Sequence, residues 1–282
     1  MYGAIFGDIV GSIYEFNNHR DKEFRLFTTD CFATDDSIMS LCVGKAVMDS
    51  FDGNGWDYDK LSELAREYMQ DIGQHYPDCG YGGNFYYWIM EHQTEPYNSF
   101  GNGAAMRVTA CGEVARNIEE AEALAEAVTR VSHNHPEGIK GAKAVAVAIF
   151  LAKKRVHKSD ILDYIRKNYY PDYAFMAKGF DCDSIRKTYQ FNETCQDTVP
   201  QALECFFEAS DFEDAIRNAI SIGGDSDTIA AITGSVAEAY FGKGNIPSTP
   251  LKRARLHCLY DRLEKMLTDW NNFVYNLPKE YK

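Results

Sequence analysis

The 282-residue sequence has no surplus of positive charge: 29 Lys and Arg stand against 42 Asp and Glu, a formal charge of −13. That balance argues against a surface that grips the nucleic-acid backbone and against polybasic attachment to anionic lipid. There is no CxxC pair. The eight cysteines (31, 42, 79, 111, 182, 195, 205 and 258) stand singly and read as free thiols, not as zinc ligands or a disulfide framework. The longest apolar stretch, Gly141 to Ala152, is interrupted by Lys143 and is too short to cross a bilayer. The N-terminal stretch MYGAIFGDIVGSIYEF lacks a basic flank and carries Asp8 and Glu15, which argues against a signal peptide. Period-two alternation, fixed-period repeats and Gly/Ser/Pro linkers are also missing. What is left is the expectation of a cytoplasmic monomer with a single domain over 1–282.

Helical periodicity fills most of the chain. Apolar residues recur at helical spacing in Ile38–Met48, Leu61–Ile72, Ile118–Val131, Gly138–Lys154, Ile161–Tyr169, Val199–Ala209, Phe212–Ile222, Thr228–Tyr240 and Leu251–Val274. The pattern predicts an all-α fold of roughly ten to twelve helices. The stretch Tyr170 to Asn192 has the weakest pattern and is expected to be an irregular surface loop.

Two acidic clusters sit at predicted helix starts: Thr34-Asp35-Asp36-Ser37 and, after Gly223-Gly224, Asp225-Ser226-Asp227-Thr228. Helix capping is the simplest account of either one. A cap needs one side-chain oxygen, however, and each cluster offers two carboxylates plus hydroxyls with no Lys or Arg among them. Crowded carboxylates resist ionisation unless a positive charge lies between them. Asp and Thr oxygens suit a hard divalent cation such as Mg²⁺, Mn²⁺ or Ca²⁺, and two clusters could build a two-metal site if the fold brings them together. Gly3, Gly7, Gly11 and Glu15 fall on one helical ridge at i, i+4 spacing, with Glu15 emerging at its end. Asp8, near the same face, reads as a structural hydrogen-bonding partner.

Two loops have ligand-binding character. Pro96 to Arg107 contains Ser99, Phe100, Gly101, Asn102 and Gly103 and leads into a helix whose first N–H groups could meet a phosphate. It carries no Walker A or Rossmann fingerprint. In Ser132-His133-Asn134-His135-Pro136, two histidines at i, i+2 without a third ligand nearby do not make a zinc site, and His133 could donate to a phosphate or ribose. Asp78 lies in the turn Pro77-Asp78-Cys79-Gly80, before the aromatic run Tyr81, Phe85, Tyr86, Tyr87 and Trp88, as a carboxylate beside a possible pocket.

In this order, GAIFGDIVGSIYEF, ATDDS, GNGAAMR, SHNHP and GGDSDT resemble the ADP-ribosylglycohydrolase family, most of all its dinitrogenase-reductase-activating glycohydrolase type. The resemblance implies a single compact orthogonal helical domain with two Mg²⁺ or Mn²⁺ ions at the bottom of a cleft. It implies Thr34, Asp35, Asp36, Asp225, Asp227 and Thr228 as metal ligands, and Glu15 as the flap glutamate near them. Gly101, Asn102 and Gly103, with Ser99 and Phe100 beside them, match the loop that holds ADP-ribose, and His133 matches a ligand-contacting histidine. Asp78 falls near the functional aspartate of the arginine-specific type. Tyr189 and Phe191 are candidates for a second aromatic beside adenine. Two departures stand out: Ser37 replaces the usual Thr, and the turn after Asp78 reads Cys-Gly-Tyr-Gly-Gly.

The activity so implied is hydrolysis of the glycosidic bond between ADP-ribose and a protein side chain or other conjugate, through an oxocarbenium-like state. Glu15 or Asp78 would handle the proton. Linkages to arginine, to serine, to a nucleic-acid end or to a small molecule all fit this chemistry. The rival readings are a non-catalytic ADP-ribose-binding or structural relative and an unrelated two-metal phosphohydrolase. The second leaves GNGAAMR and SHNHP unexplained.

Overall fold

A computed structural model describes residues 1–175, 177 and 179–281. Positions 176 and 178, inside the stretch expected to be a loop, and position 282, the end of the expected domain, lie outside the described residues. The chain runs through α1 (Tyr2–Gly11), α2 (Asp35–Ser50), α3 (Tyr58–Gly73), α4 (Gly83–Met90), α5 (Gly103–Met106), α6 (Thr109–Val114), α7 (Ile118–Thr129) and α8 (Pro136–Lys153). It continues through α9 (Lys158–Asn168), α10 (Cys182–Thr188), α11 (Cys195–Glu208), α12 (Phe212–Ser221), α13 (Ser226–Phe241), α14 (Ser248–Cys258) and α15 (Asp261–Asn276). Among the described residues there are two isolated β-bridges and no strand, so the fold is all-α as expected. No described helix is long and apolar enough to cross a membrane. All eight cysteines are buried and unbridged.

The glycine ridge of α1 sets the architecture. A Cβ on Gly3 would lie 2.1 Å from the Gly234 carbonyl oxygen, and one on Gly7 would lie 2.0 Å from the Ala230 carbonyl oxygen. One on Gly11 would lie 2.5 Å from Asp227 Cα. Rising positions on α1 meet falling positions on α13, so the two helices run antiparallel with their backbones in contact, which only residues without side chains allow. Every residue of α1 is buried. Contrary to expectation, Glu15 is not on that ridge: α1 ends at Gly11, and a turn carries the chain on to Glu15, whose carboxylate lies by Asp225 and Asp227 at the acidic start of α13.

Three expectations of the helical pattern are corrected. The described residues hold fifteen α-helices where roughly ten to twelve were expected, because short ones such as α5, α6 and α10 span too few turns to show a period. The stretch Tyr170–Asn192 is not wholly irregular: Asp181 accepts from the Ser184 N–H and starts α10, whose Cys182 and Ile185 are buried. Leu251–Val274 is two helices, broken at Leu259 and Tyr260, whose extended backbone ends α14 before Asp261 opens α15. Periodicity carries across such a break because both halves bury one apolar face.

Candidate active site

Asp8, one turn before the end of α1, is fully buried. It accepts from the Thr34 hydroxyl at 2.7 Å, from the Thr34 and Ser37 N–H groups at 3.1 Å each, and from the Ser37 hydroxyl. Those bonds fasten the start of α2 to α1, the structural role expected of Asp8. Thr34 is the N-cap of α2, accepting from the Asp36 N–H at 3.3 Å. The start of α13 is built differently. Gly223 and Gly224 take φ of +72° and +81°, the left-handed region that glycine enters without strain. Asp225 follows but makes no side-chain cap. Its Oδ2 accepts instead from Asn102 Nδ2 at 2.7 Å. The two starts meet where the Thr228 hydroxyl donates to Asp36 Oδ2 at 3.1 Å.

Their meeting crowds negative charge. Oxygens of Asp8, Asp36 and Asp227 lie within 4.8 Å of one another, and so do oxygens of Glu15, Asp225 and Asp227. Burial, followed by repulsion from its neighbours, raises the carboxyl pKa of Glu15 and Asp35 to about 8. Burial first and the Asp227 carboxylate next push Asp36 and Asp225 well above the carboxylate range. Asp36 Oδ1 and Asp227 Oδ1 are buried with no hydrogen-bond partner. Buried carboxylate oxygens without a donor are costly unless a cation meets them. The donor set is all oxygen and fits hard divalent cations. Asp227 belongs to both groups, so the arrangement fits two adjacent ions that share it.

Above this floor lies a cavity of about 420 Å³. It brings together Glu15, Asp35, Asp36, Ser99, Gly101, Asn102, Gly103, His133, Asp225, Asp227 and Thr228 from the residues expected by sequence. Three others lie elsewhere. The Thr34 side chain is buried beneath the floor and turned to Asp8. Phe100 does not line the cavity; its ring packs 5.1 Å from that of His135. Asp78 is exposed and outside the lining, because Gly80, at φ +112°, turns the chain so that the residues after it face inward and Asp78 faces solvent. Of the aromatic candidates, Tyr189 packs on Gly224, and Phe191 stacks 5.9 Å from Phe16 at the mouth.

Local roles also sharpen. The α5 helix has only four residues, so it offers no long helix N-terminus. The Gly101 and Asn102 N–H groups already donate to Ser99 Oγ and to the Glu193 carbonyl. His135 caps α8 through the Glu137 N–H, leaving His133 as the histidine of that loop at the cavity. Sequence reasoning missed Phe16, Glu193 and Tyr97 in the lining. Glu193 arrives through the isolated bridge between Gly101 and Thr194, a pairing with no local sequence signal.

A model of the ADP-ribosylglycohydrolase family matches residues 1–278. ADP-ribosylhydrolase ARH3 from Homo sapiens is 24% identical over 321 aligned residues, covering 88% of this chain and 86% of the relative. ADP-ribosylarginine hydrolase Tri1 from Pseudomonas putida (strain GB-1) is 26% identical, covering 88% of this chain and 71% of its own length. A solved structure described as an ADP-ribosylglycohydrolase-related protein complex superposes with a TM-score of 0.70 at 20% identity, over 96% of this chain and 95% of that one. That likeness is one of fold.

Proposed function

The chain belongs to the ADP-ribosylglycohydrolase family, and from that premise we propose that it is a metal-dependent hydrolase that cleaves the glycosidic bond between ADP-ribose and a protein side chain or other conjugate. The observation that carries the reading is the place of Asp227: it belongs to both carboxylate groups, at the foot of the cavity that also holds the Gly101–Gly103 loop and His133. Asp35, Asp36, Asp225, Asp227 and Thr228, with Glu15 and Asp8 in reach, would hold two Mg²⁺ or Mn²⁺ ions. Such ions, when bound, supply charge stabilisation and orientation of ribose hydroxyls.

The chain's own residues do the rest. The Gly101–Gly103 loop leaves the room in which the ligand lies, and Ser99 and His133 offer polar groups beside it. Asn102 is spent on holding Asp225, so it shapes the floor. Glu15 is the carboxyl best placed to hold or move a proton, because it is half-buried at the cavity while Asp78 faces solvent. A carboxyl in that position would protonate a departing group or accept a proton from attacking water.

The test is release of free ADP-ribose from arginine- and serine-ADP-ribosylated proteins, with Mg²⁺ or Mn²⁺ and with chelator. Metal-dependent release from either supports the reading; no release from both, with ADP-ribose still bound, would favour another conjugate or the non-catalytic relative, and release of phosphate alone overturns it. Glu15→Gln should slow release by about 10²-fold, the usual worth of a general acid or base. Asp78→Asn should leave the rate at the wild-type level.

A further inference from the structure

Arg107, the last residue of GNGAAMR, is fully buried. A buried cation normally lies against a carboxylate. Arg107 does not: its Nε and Nη1 have no hydrogen-bond partner, and its guanidinium lies 5.3 Å from the centre of the Phe85 ring. Its Nη2 donates to the Ser132 hydroxyl at 2.8 Å and stands 3.5 Å from His133 Nδ1. Ser132 Oγ in turn lies 2.8 Å from His133 Nδ1.

The protons in this chain of contacts can be placed. A guanidinium has no acceptor, so whatever faces it must offer a lone pair. Ser132 Oγ accepts a hydrogen bond from Arg107 Nη2 and keeps its own hydroxyl proton, for which His133 Nδ1 is the acceptor among the described residues. Nδ1 therefore carries no proton, and the neutral ring carries it on Nε2. Nε2 is the nitrogen on the ligand side: Cβ atoms built on Gly101 and Gly103 would lie 3.5 and 3.4 Å from it. The ring is held between Phe85 and Tyr97, with centroids 5.7 Å from each.

We propose that Arg107 is a positioning residue that acts through Ser132 to fix His133 as a neutral imidazole protonated on Nε2, so that His133 meets the ligand as a hydrogen-bond donor and not as a base. The ionisable groups around the ring are Arg107 and the Tyr97 phenol. Burial, then the Arg107 charge, hold the imidazole pKa well below its ordinary value, and burial pushes the Tyr97 phenol up to about 12. The glycines of the GNG loop gain a specific reason: a side chain at either place would crowd the space in front of this donor. The ligand it serves, an acceptor oxygen of ADP-ribose, rests on the function proposed above.

The experiment is ¹⁵N NMR of the whole protein with labelled histidine, followed from about pH 5 to 9 across the range where free imidazole titrates. The His133 signal, one of seven histidines, is assigned by its loss in His133→Gln. The expected wild-type spectrum has Nε2 protonated and Nδ1 bare, with no titration over that range. Arg107→Lys, which keeps a cation, should preserve it. Arg107→Met should mix the two tautomers and weaken binding of ADP-ribose about tenfold, the worth of one good hydrogen bond. If Arg107→Met does not fold, Ser132→Ala carries the same expectation. A proton on Nδ1 in the wild type, or a wild-type spectrum in both Arg107→Met and Ser132→Ala, overturns the proposal. The expected spectrum in a protein that binds no ADP-ribose supports the Arg107 assignment and removes the function.

Discussion

The starts of α2 and α13 look alike in sequence, each with Thr and two Asp ahead of an apolar helix, and they are held in opposite ways. At α2 the cap is local: Thr34 accepts from Asp36 N–H, and Asp8 gathers the hydroxyls and amides of Thr34 and Ser37 from below. At α13 the leading Asp225 leaves its own helix uncapped and is held across the cavity by Asn102, far away in sequence. A helix start that is capped for stability spends its oxygens on its own N–H groups. One held by a remote side chain keeps them free for a ligand, at a cost to the local helix. The contrast separates what a residue does for the fold from what it does for the site, and each substitution below acts on one side of it or on both.

The largest effect is expected at Asp227, which both carboxylate groups share. Asp227→Asn keeps the shape and removes a charge from each group. Turnover should fall by about 10³-fold, in line with the several kcal/mol that metal-assisted charge stabilisation supplies. Far-ultraviolet circular dichroism should still report the helical fold. Calorimetric titration with Mn²⁺ should lose both binding events, and loss of only one would show that Asp227 serves a single ion.

The uneven legibility of the site in the sequence follows from the same contrast. Thr34–Asp36 and Asp225–Thr228 are legible because too many oxygens stand at one helix start, a local excess visible without coordinates. The α1 ridge is legible because Gly3, Gly7 and Gly11 share a face whatever they pack on. Asn102 reads as a ligand-loop residue, and nothing near it in the chain announces that its amide belongs to Asp225. Glu193 and Phe16 enter the cavity from loops without periodicity, placed by contacts with distant segments. The break at Leu259–Tyr260 is hidden because no Gly or Pro marks it.

Asn102→Ala acts on the α13 side and also ends the 3.3 Å bond from its amide to the Thr198 hydroxyl. It removes the remote support of Asp225 and leaves its carboxylate in place but unaimed. Outer-sphere partners of metal-binding residues are typically worth 10- to 100-fold in affinity, so Mn²⁺ affinity should fall by about that factor. Thermal stability should change little, since the α13 helix gains nothing from this bond. A large loss of melting temperature with unchanged Mn²⁺ binding would place Asn102 among the structural residues instead.

Thr34→Val acts on the α2 side and is the smallest change. It keeps the shape of the side chain and deletes the hydroxyl that caps α2 and donates to Asp8. The Ser37 hydroxyl and amide and the Thr34 amide still reach Asp8, so its carboxylate is not stranded. A lost N-cap costs about 1 kcal/mol, which in a chain of this size lowers the melting temperature by about 2 °C. The resemblance to the family puts Thr34 among the metal ligands, whereas its observed bonds serve the helix start, and this variant separates the two. Mn²⁺ affinity equal to wild type alongside a lower melting temperature assigns the hydroxyl to the cap. A tenfold loss of affinity would mean that Thr34 gives up its bond to Asp8 when the ion binds, and that both helix starts yield their oxygens to the site.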